Sequence, residues 1–142
     1  MAGLHLEIVT AEKAILSEDD VEQVVAPAVD GVIAIRPHHA SLITLLQAGE
    51  LRIRRKSGDV SFAISGGFLE VHQSRVKILA DAAERSEDID NTRAVAAEER
   101  ARKTLSERKG NPEEFQVAML ALRRSQVRLR VARRHRVSGP TR

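Results

Sequence analysis

The spacing of apolar residues changes its period once along this 142-residue chain, from two to that of a helix, and the change falls at Ser86. A pattern that alternates in twos buries one face of a strand, whereas helical spacing buries a stripe, so a single switch calls for a sheet part followed by a helical part. From Leu4 to Asp81 the pattern is that of strands. Leu4, Leu6 and Ile8 point one way and His5, Glu7 and Val9 the other, and Val32–Ile35, Leu51–Arg54 and Val60–Ile64 repeat the alternation. Ser57-Gly58-Asp59 and Gln73-Ser74 stand where hairpin turns are needed. Residues 1–85 are therefore expected to form an antiparallel sandwich or barrel. The tandem Gly66-Gly67 predicts a bulge or a close approach of strands; no Gly-Lys-Ser/Thr follows it and no helix opens there, so it is not a phosphate loop.

Residues 86–142 turn to Ala, Glu and Arg. Ala94, Ala97, Ala101 and Leu105 form a narrow stripe of small residues on a first helix, which Gly110-Asn111-Pro112 ends near Lys109. Asn111 is placed to cap a second helix, with Pro112 at its first position and Glu113-Glu114 in its first turn, where carboxylates favour the positive end of the helix dipole. Phe115, Ala118, Met119, Leu122 and Leu129 make that helix's apolar stripe. So short a turn predicts an antiparallel two-helix hairpin, and the fold class is α+β in two parts. At about 25 cal/mol per Å², a buried Ala contributes well under the roughly 1.5–3 kcal/mol of a buried Leu, so an alanine seam is expected to open.

Composition removes several classes of function. Cysteine is absent, which excludes disulfides and thiolate metal sites and fits a reducing compartment. No apolar run approaches the roughly 18 residues that span a bilayer, and Met1–Glu7 lacks a basic region followed by an apolar one, so the protein is expected to be soluble and to meet a membrane only through partners. Aromatic residues are 2% of the chain, too few for base-stacking platforms. Adjacent His38 and His39, with His5 and His72, lack an accompanying carboxylate or cysteine cluster, and no metal site is expected. Ser65 before Gly66-Gly67 lacks the nucleophile-elbow pattern, so no catalytic residue is assigned.

The net charge of +3 hides an asymmetry: residues 1–85 hold 9 Lys/Arg against 12 Asp/Glu, and residues 86–142 hold 14 against 8. No acid follows Glu114, so the end of the chain is a cationic rod suited to an acidic surface. Asp90 and Arg93 lie three apart, and Arg124 and Arg128 four apart, so on helices each pair shares a face. Folded back on each other, the two helices bring an acid and guanidiniums toward one small anion, for which planar, permanently charged guanidinium is suited. The other reading of these residues is plain salt bridging between Asp90 and a facing arginine. Since nothing nearby is equipped to react with the anion, it points to a sensor. A basic adaptor that binds nucleic acid or an acidic protein is the rival class, but without aromatics, a helix-turn-helix or a zinc module, nucleic-acid binding has only charge behind it.

Several segments together resemble the epsilon subunits of rotary F-type ATP synthases, from about Leu4 to Arg136. They are Pro37–Leu42, Leu46-Gln47-Ala48-Gly49-Glu50-Leu51, Ser65–Val71, Leu79-Ala80-Asp81 and the run Ile89-Asp90-Asn91-Thr92-Arg93-Ala94. The chain departs from the usual pattern at Ala34, commonly Gly, at Arg36, usually apolar, and at Ser41, commonly Pro. The resemblance implies a ten-stranded β-sandwich bound to the gamma subunit and resting on the c-subunit ring, followed by a mobile two-helix domain with a basic tail. Asp30, Gly31 and His39 would face the c ring. The helices would lie folded, or extend toward the catalytic alpha/beta hexamer and obstruct ATP hydrolysis, with Arg123, Arg124, Arg128, Arg133, Arg134 and Arg136 meeting beta. ATP would be a regulatory ligand of the folded form, held by Glu84, Ile89, Asp90, Arg93, Ala94, Arg124 and Arg128, with no cofactor required. Asp90 would then orient an arginine or accept from the base or ribose, while Ile89 and Ala94 leave an apolar surface for adenine. The implied location is peripheral, on the cytoplasmic side of a bacterial plasma membrane.

Overall fold

The computed structural model describes residues 3–137, with side chains to Arg133. Eight strands come first: β1 (Leu4–Val9), β2 (Ala14–Val21), β3 (Gln23–Ala28), β4 (Gly31–Ile35), β5 (Leu42–Arg54), β6 (Val60–His72), β7 (Arg75–Ala80) and β8 (Ala83–Arg85). A 3₁₀ turn over Ser86–Asp88 leads into α1 (Asn91–Glu107) and α2 (Pro112–Val137). The chain separates into two compact units, Met1–Arg85 and Ser86–Arg142.

Hydrogen bonds link the strands in the order β2-β1-β7-β6-β5-β3-β4, with β8 beside β6. All pairs are antiparallel except β1 with β7, which run parallel. One core takes residues from both edges of this order, Val21 of β2 and Ile35 of β4, together with Leu6, Ile53, Phe62 and Ile78. A flat sheet cannot bring its two edges to one core, so the sheet folds over as a sandwich. Eight strands do the work of about ten because β5 and β6 run 13 residues each through both layers.

Gly66-Gly67 is where β6 changes partners. Phe62–Ile64 pair with β8, and Gly67–His72 pair with β7. The inward residues shift from even to odd numbers across this point, Val60, Phe62 and Ile64 before it and Leu69 and Val71 after it, while the register with β5 is unchanged, Ala48 opposite Ser65 and Leu46 opposite Gly67. Both glycines have positive φ, 127° and 137°, and a methyl group on Gly67 would run into the Leu79 carbonyl. The sequence offered a bulge or a close approach, and the structure has the close approach without a shift of register. Gln73 and Ser74, with φ of 48° and 60°, close the two-residue turn between β6 and β7 in the mirror-image conformation that matches strand twist.

In the hairpin, Asn111 caps α2 by accepting from the Glu113 and Glu114 backbone N–H groups at 3.1 and 3.2 Å, and Arg108 pairs with Glu114 across the turn at 2.9 Å. Ala94 and Ala101 are the buried helical residues of α1; α2 buries Ala118, Ser125, Leu129 and Ala132 along one stripe. Met119, expected in that stripe, is 41% exposed, while Val127 and Val131, four apart on another face, are buried.

Candidate functional site

Asp90 sits just before α1, not within it. Its backbone is extended, with φ −76° and ψ 111°, and its Oδ1 accepts the Arg93 backbone N–H at 3.1 Å while its carbonyl accepts from Ala94 at 2.9 Å. It is the N-cap, satisfying a donor the helix cannot. This bond holds the Arg93 backbone and leaves the Arg93 side chain exposed. Among the described residues no ion pair joins Asp90 to an arginine, so plain salt bridging of the hairpin through Asp90 is not what the structure has.

Antiparallel packing sets which residues lie level. The 14 steps from Glu107 back to Arg93 match the 14 from Pro112 on to Gln126, midway between Arg124 and Arg128. At 1.5 Å per residue Arg93 lies about 21 Å from the turn, and Arg124 and Arg128, at about 18 and 24 Å along the facing helix, bracket its level. Arg124 is exposed and Arg128 half-buried. Ile89 and Ala94 are 8% and 0% exposed, a correction to their expected role: both are packed away and offer no open apolar surface. Glu84 belongs to β8, opposite Ala63, and so to the sandwich unit.

Of the residues expected to meet beta, Arg123 and Arg133 are exposed with Arg124, while Arg134 and Arg136 lie outside the residues whose side chains are described. Asp30 and Gly31 turn β3 into β4, whereas His39 lies in the connection after β4, where its N–H donates to the Arg36 carbonyl at 3.2 Å. They occupy two loops separated by a whole strand. Among the described residues no group of three or more His, Cys, Asp or Glu is arranged to hold a metal.

One surface escaped the sequence reading. Leu45, Phe68 and Leu79 are cross-strand neighbours on β5, β6 and β7 and are 49%, 52% and 48% exposed, with Ile43 beside them at 73%. The signal was present as apolar pairs, Leu45-Leu46, Phe68-Leu69 and Ile78-Leu79, which put a large residue on both faces of three adjacent strands. An outer apolar row of this kind marks an interaction surface.

The β-sandwich domain of ATP synthase delta/epsilon chains matches residues 3–86, and the long alpha-helix domain of the same chains matches residues 87–133. The chain belongs to the ATP synthase delta/epsilon family. The ATP synthase epsilon chain of Dehalococcoides mccartyi is 47% identical over 142 residues, covering 96% of each chain. That of Herpetosiphon aurantiacus is 47% identical over 133 residues, 94% of this chain and 96% of its own. A chain of the Euglena gracilis mitochondrial ATP synthase, solved with OSCP, F1 and c-ring, superposes with a TM-score of 0.78 at 23% identity, covering 89% of this chain and 79% of that one, which shows the shared fold. Members of this family are non-catalytic subunits of the synthase.

Proposed function

We propose that this family member is the central-stalk subunit that joins gamma to the c-subunit ring of an F-type ATP synthase and restrains ATP hydrolysis through its hairpin, with ATP favouring the folded, non-inhibitory form. The regulatory part of this reading is carried by one observation: Arg93, on the motif Ile89–Ala94, has its level bracketed by Arg124 and Arg128 on the facing helix. Three guanidiniums so placed suit a polyphosphate, and the Asp90 cap fixes the start of the helix that carries Arg93. Gamma docks on the apolar row Leu45–Phe68–Leu79, and the loops at Asp30-Gly31 and His39 meet the c ring. The subunit is held peripherally on the cytoplasmic side of a bacterial plasma membrane by these partners, and no helix among the described residues is long and apolar enough to cross one.

Arg124 and Arg128 cannot both clamp a nucleotide in the folded hairpin and face the beta subunits from an extended arm, so ATP withdraws the arm. It does so only through its greater affinity for the folded form. The test is calorimetry of the full chain with ATP, against Arg93→Ala and Arg124→Ala. Each lost charge-assisted contact costs about 1.5–3 kcal/mol, tenfold or more in Kd. No heat from the unaltered chain at millimolar ATP would remove the regulatory part. Neutralising Arg133, Arg134 and Arg136 should relieve inhibition in the reconstituted complex and spare ATP binding.

A further inference from the structure

We infer that the outer face of β3, β4 and β5, where Arg36, Arg52 and Arg54 surround Val25, docks an extended acidic segment of the catalytic sector. The inference rests on the reading of the chain as a stalk subunit and adds a second contact, on the other layer from the apolar row Leu45–Phe68–Leu79. Register brings the three arginines together. Val25 on β3 stands opposite Arg52 of β5 on one side and Ala34 of β4 on the other, and Gln23 stands opposite Arg54. Val24, Ile35 and Ile53, which alternate with these residues, are 0% exposed and face the core, so this set faces outward. Arg36 follows one step past the Val24–Ile35 pair, and Arg36, Arg52 and Arg54 are all exposed around a half-buried Val25.

The usual structural uses of arginine do not account for them. Arg55 reaches Glu18 at 2.8 Å and Arg85 lies over the Phe62 ring at 5.8 Å, whereas among the described residues no ion pair joins Arg36, Arg52 or Arg54 to an acid. Glu50, two residues before Arg52, is half-buried and accepts from the Ser61 hydroxyl at 3.2 Å. Charges also guard exposed sheet edges, but β5 lies between β3 and β6, so Arg52 and Arg54 guard none. Nor is the unit basic: residues 1–85 hold 12 Asp/Glu against 9 Lys/Arg, and Glu18, Asp19 and Asp20 stand on β2, at the far end of the strand order. Like charges gathered on one face repel each other in the free chain, and an acidic partner reverses that.

The form of the patch selects the partner. Arg52 and Arg54 are two apart on one strand, about 6.7 Å, and Arg36 lies two strand spacings from Arg54, about 9.6 Å. Alternate side chains of an extended segment repeat at the same spacing of about 6.7 Å, so two of its carboxylates match Arg52 and Arg54. A protein segment also brings apolar atoms to Val25, which a bare phosphate does not. Lipid headgroups are the other anionic surface near a c ring. With Asp30-Gly31 on the ring, the steps from Gly31 to Arg36 carry the arginines about 17 Å away along β4, beyond the roughly 8 Å over which exposed charges act at physiological salt. The acids that reach this face therefore belong to alpha, beta or gamma.

The experiment measures binding of the full chain to an alpha/beta/gamma complex lacking this subunit, at low and at high salt. It compares the unaltered chain with a triple charge reversal, Arg36→Glu, Arg52→Glu and Arg54→Glu, and with a triple neutralisation of the same residues to Gln, which carries the test if the reversal melts lower. The expected result at low salt is binding about tenfold or more weaker for the reversal, an intermediate loss for the neutralisation, and a shallower salt dependence for both. A photo-reactive side chain in place of Gln23, among the arginines, then cross-links to a segment of alpha, beta or gamma that carries acids. Unchanged affinity and salt dependence in both variants overturn the inference, the face being merely solvated. A cross-link into a segment without acids overturns it too, as does a loss confined to binding of vesicles of anionic lipid, which assigns the face to a membrane. Failure of the unaltered chain to bind the complex takes down the stalk-subunit reading itself, a different failure and separately visible.

Discussion

The sandwich and the hairpin both close around apolar side chains, but of very different sizes. Every one of the largest fully buried side chains, Phe62, Leu4, Leu6, Ile8 and Ile53 among them, lies between Leu4 and Ile78. The hairpin buries Ala94, Ala101, Ala118, Ala132 and Ser125, and its larger buried residues, Ile89, Val127, Leu129 and Val131, gather at the end away from the turn. Toward the turn the seam is alanine, held by the Asn111 cap and the exposed Arg108–Glu114 pair. Since burial scales with apolar area, the sandwich is expected to stand alone and the hairpin to be the weaker of the two.

The largest expected difference comes from deleting core volume. Phe62→Ala, emptying a site that is 2% exposed, should cost about 3–5 kcal/mol in urea unfolding of the sandwich, and a loss below 1 kcal/mol would mean that the core is not what holds it. A chain ending at Arg85 should keep a cooperative unfolding transition and still join gamma; failure to fold would show that the two regions form one cooperative body. Ala101→Leu overfills the hairpin seam and should cost it about 1–3 kcal/mol, read as lost helical circular dichroism while the sandwich midpoint stays put. Asp90→Ala removes the cap and should cost about 1 kcal/mol, again only from the helices, together with weaker ATP binding. Arg102→Ala breaks the exposed i,i+4 pair with Glu98 and should cost only a few tenths of a kcal/mol, so a larger effect would reveal a partner for Arg102 beyond its own helix.

Where the sequence was legible, a local rule spoke without competition. The alternation of β1, the turn at Gln73-Ser74 and the Asn111-Pro112 start of α2 each follow from residues whose conformational preference is strong and nearby. Less legible were features decided by distant packing. Nothing local says that β5 and β6 each pass through both layers, because the change of partner at Gly66-Gly67 depends on β7 and β8. Asp90 carried a readable signal, an acid immediately before a helix, yet the same acid also reads as a ligand group, and only the 3.1 Å bond to the Arg93 N–H assigns it to the cap. Ile89 and Ala94 were expected to lie open to a base, and their burial could not be seen from a motif that specifies residue types and not their surroundings. Asp30 and Gly31 stand close to His39 in sequence, yet β4 separates the turn of the first two from the connection that holds the third.

Native-state hydrogen exchange of the full chain tests most directly the claim that one region is firm and the other poised. The account predicts that amides of α1 and α2 from Ala101 to Leu122 exchange through an opening well below the global unfolding free energy, while the β5 and β6 core amides around Leu51 and Phe62 exchange only through global unfolding, and that ATP slows the first set alone. Equal protection in both regions, unchanged by ATP, would contradict it, since the chain would then open as a single unit with no poised part for a ligand to act on.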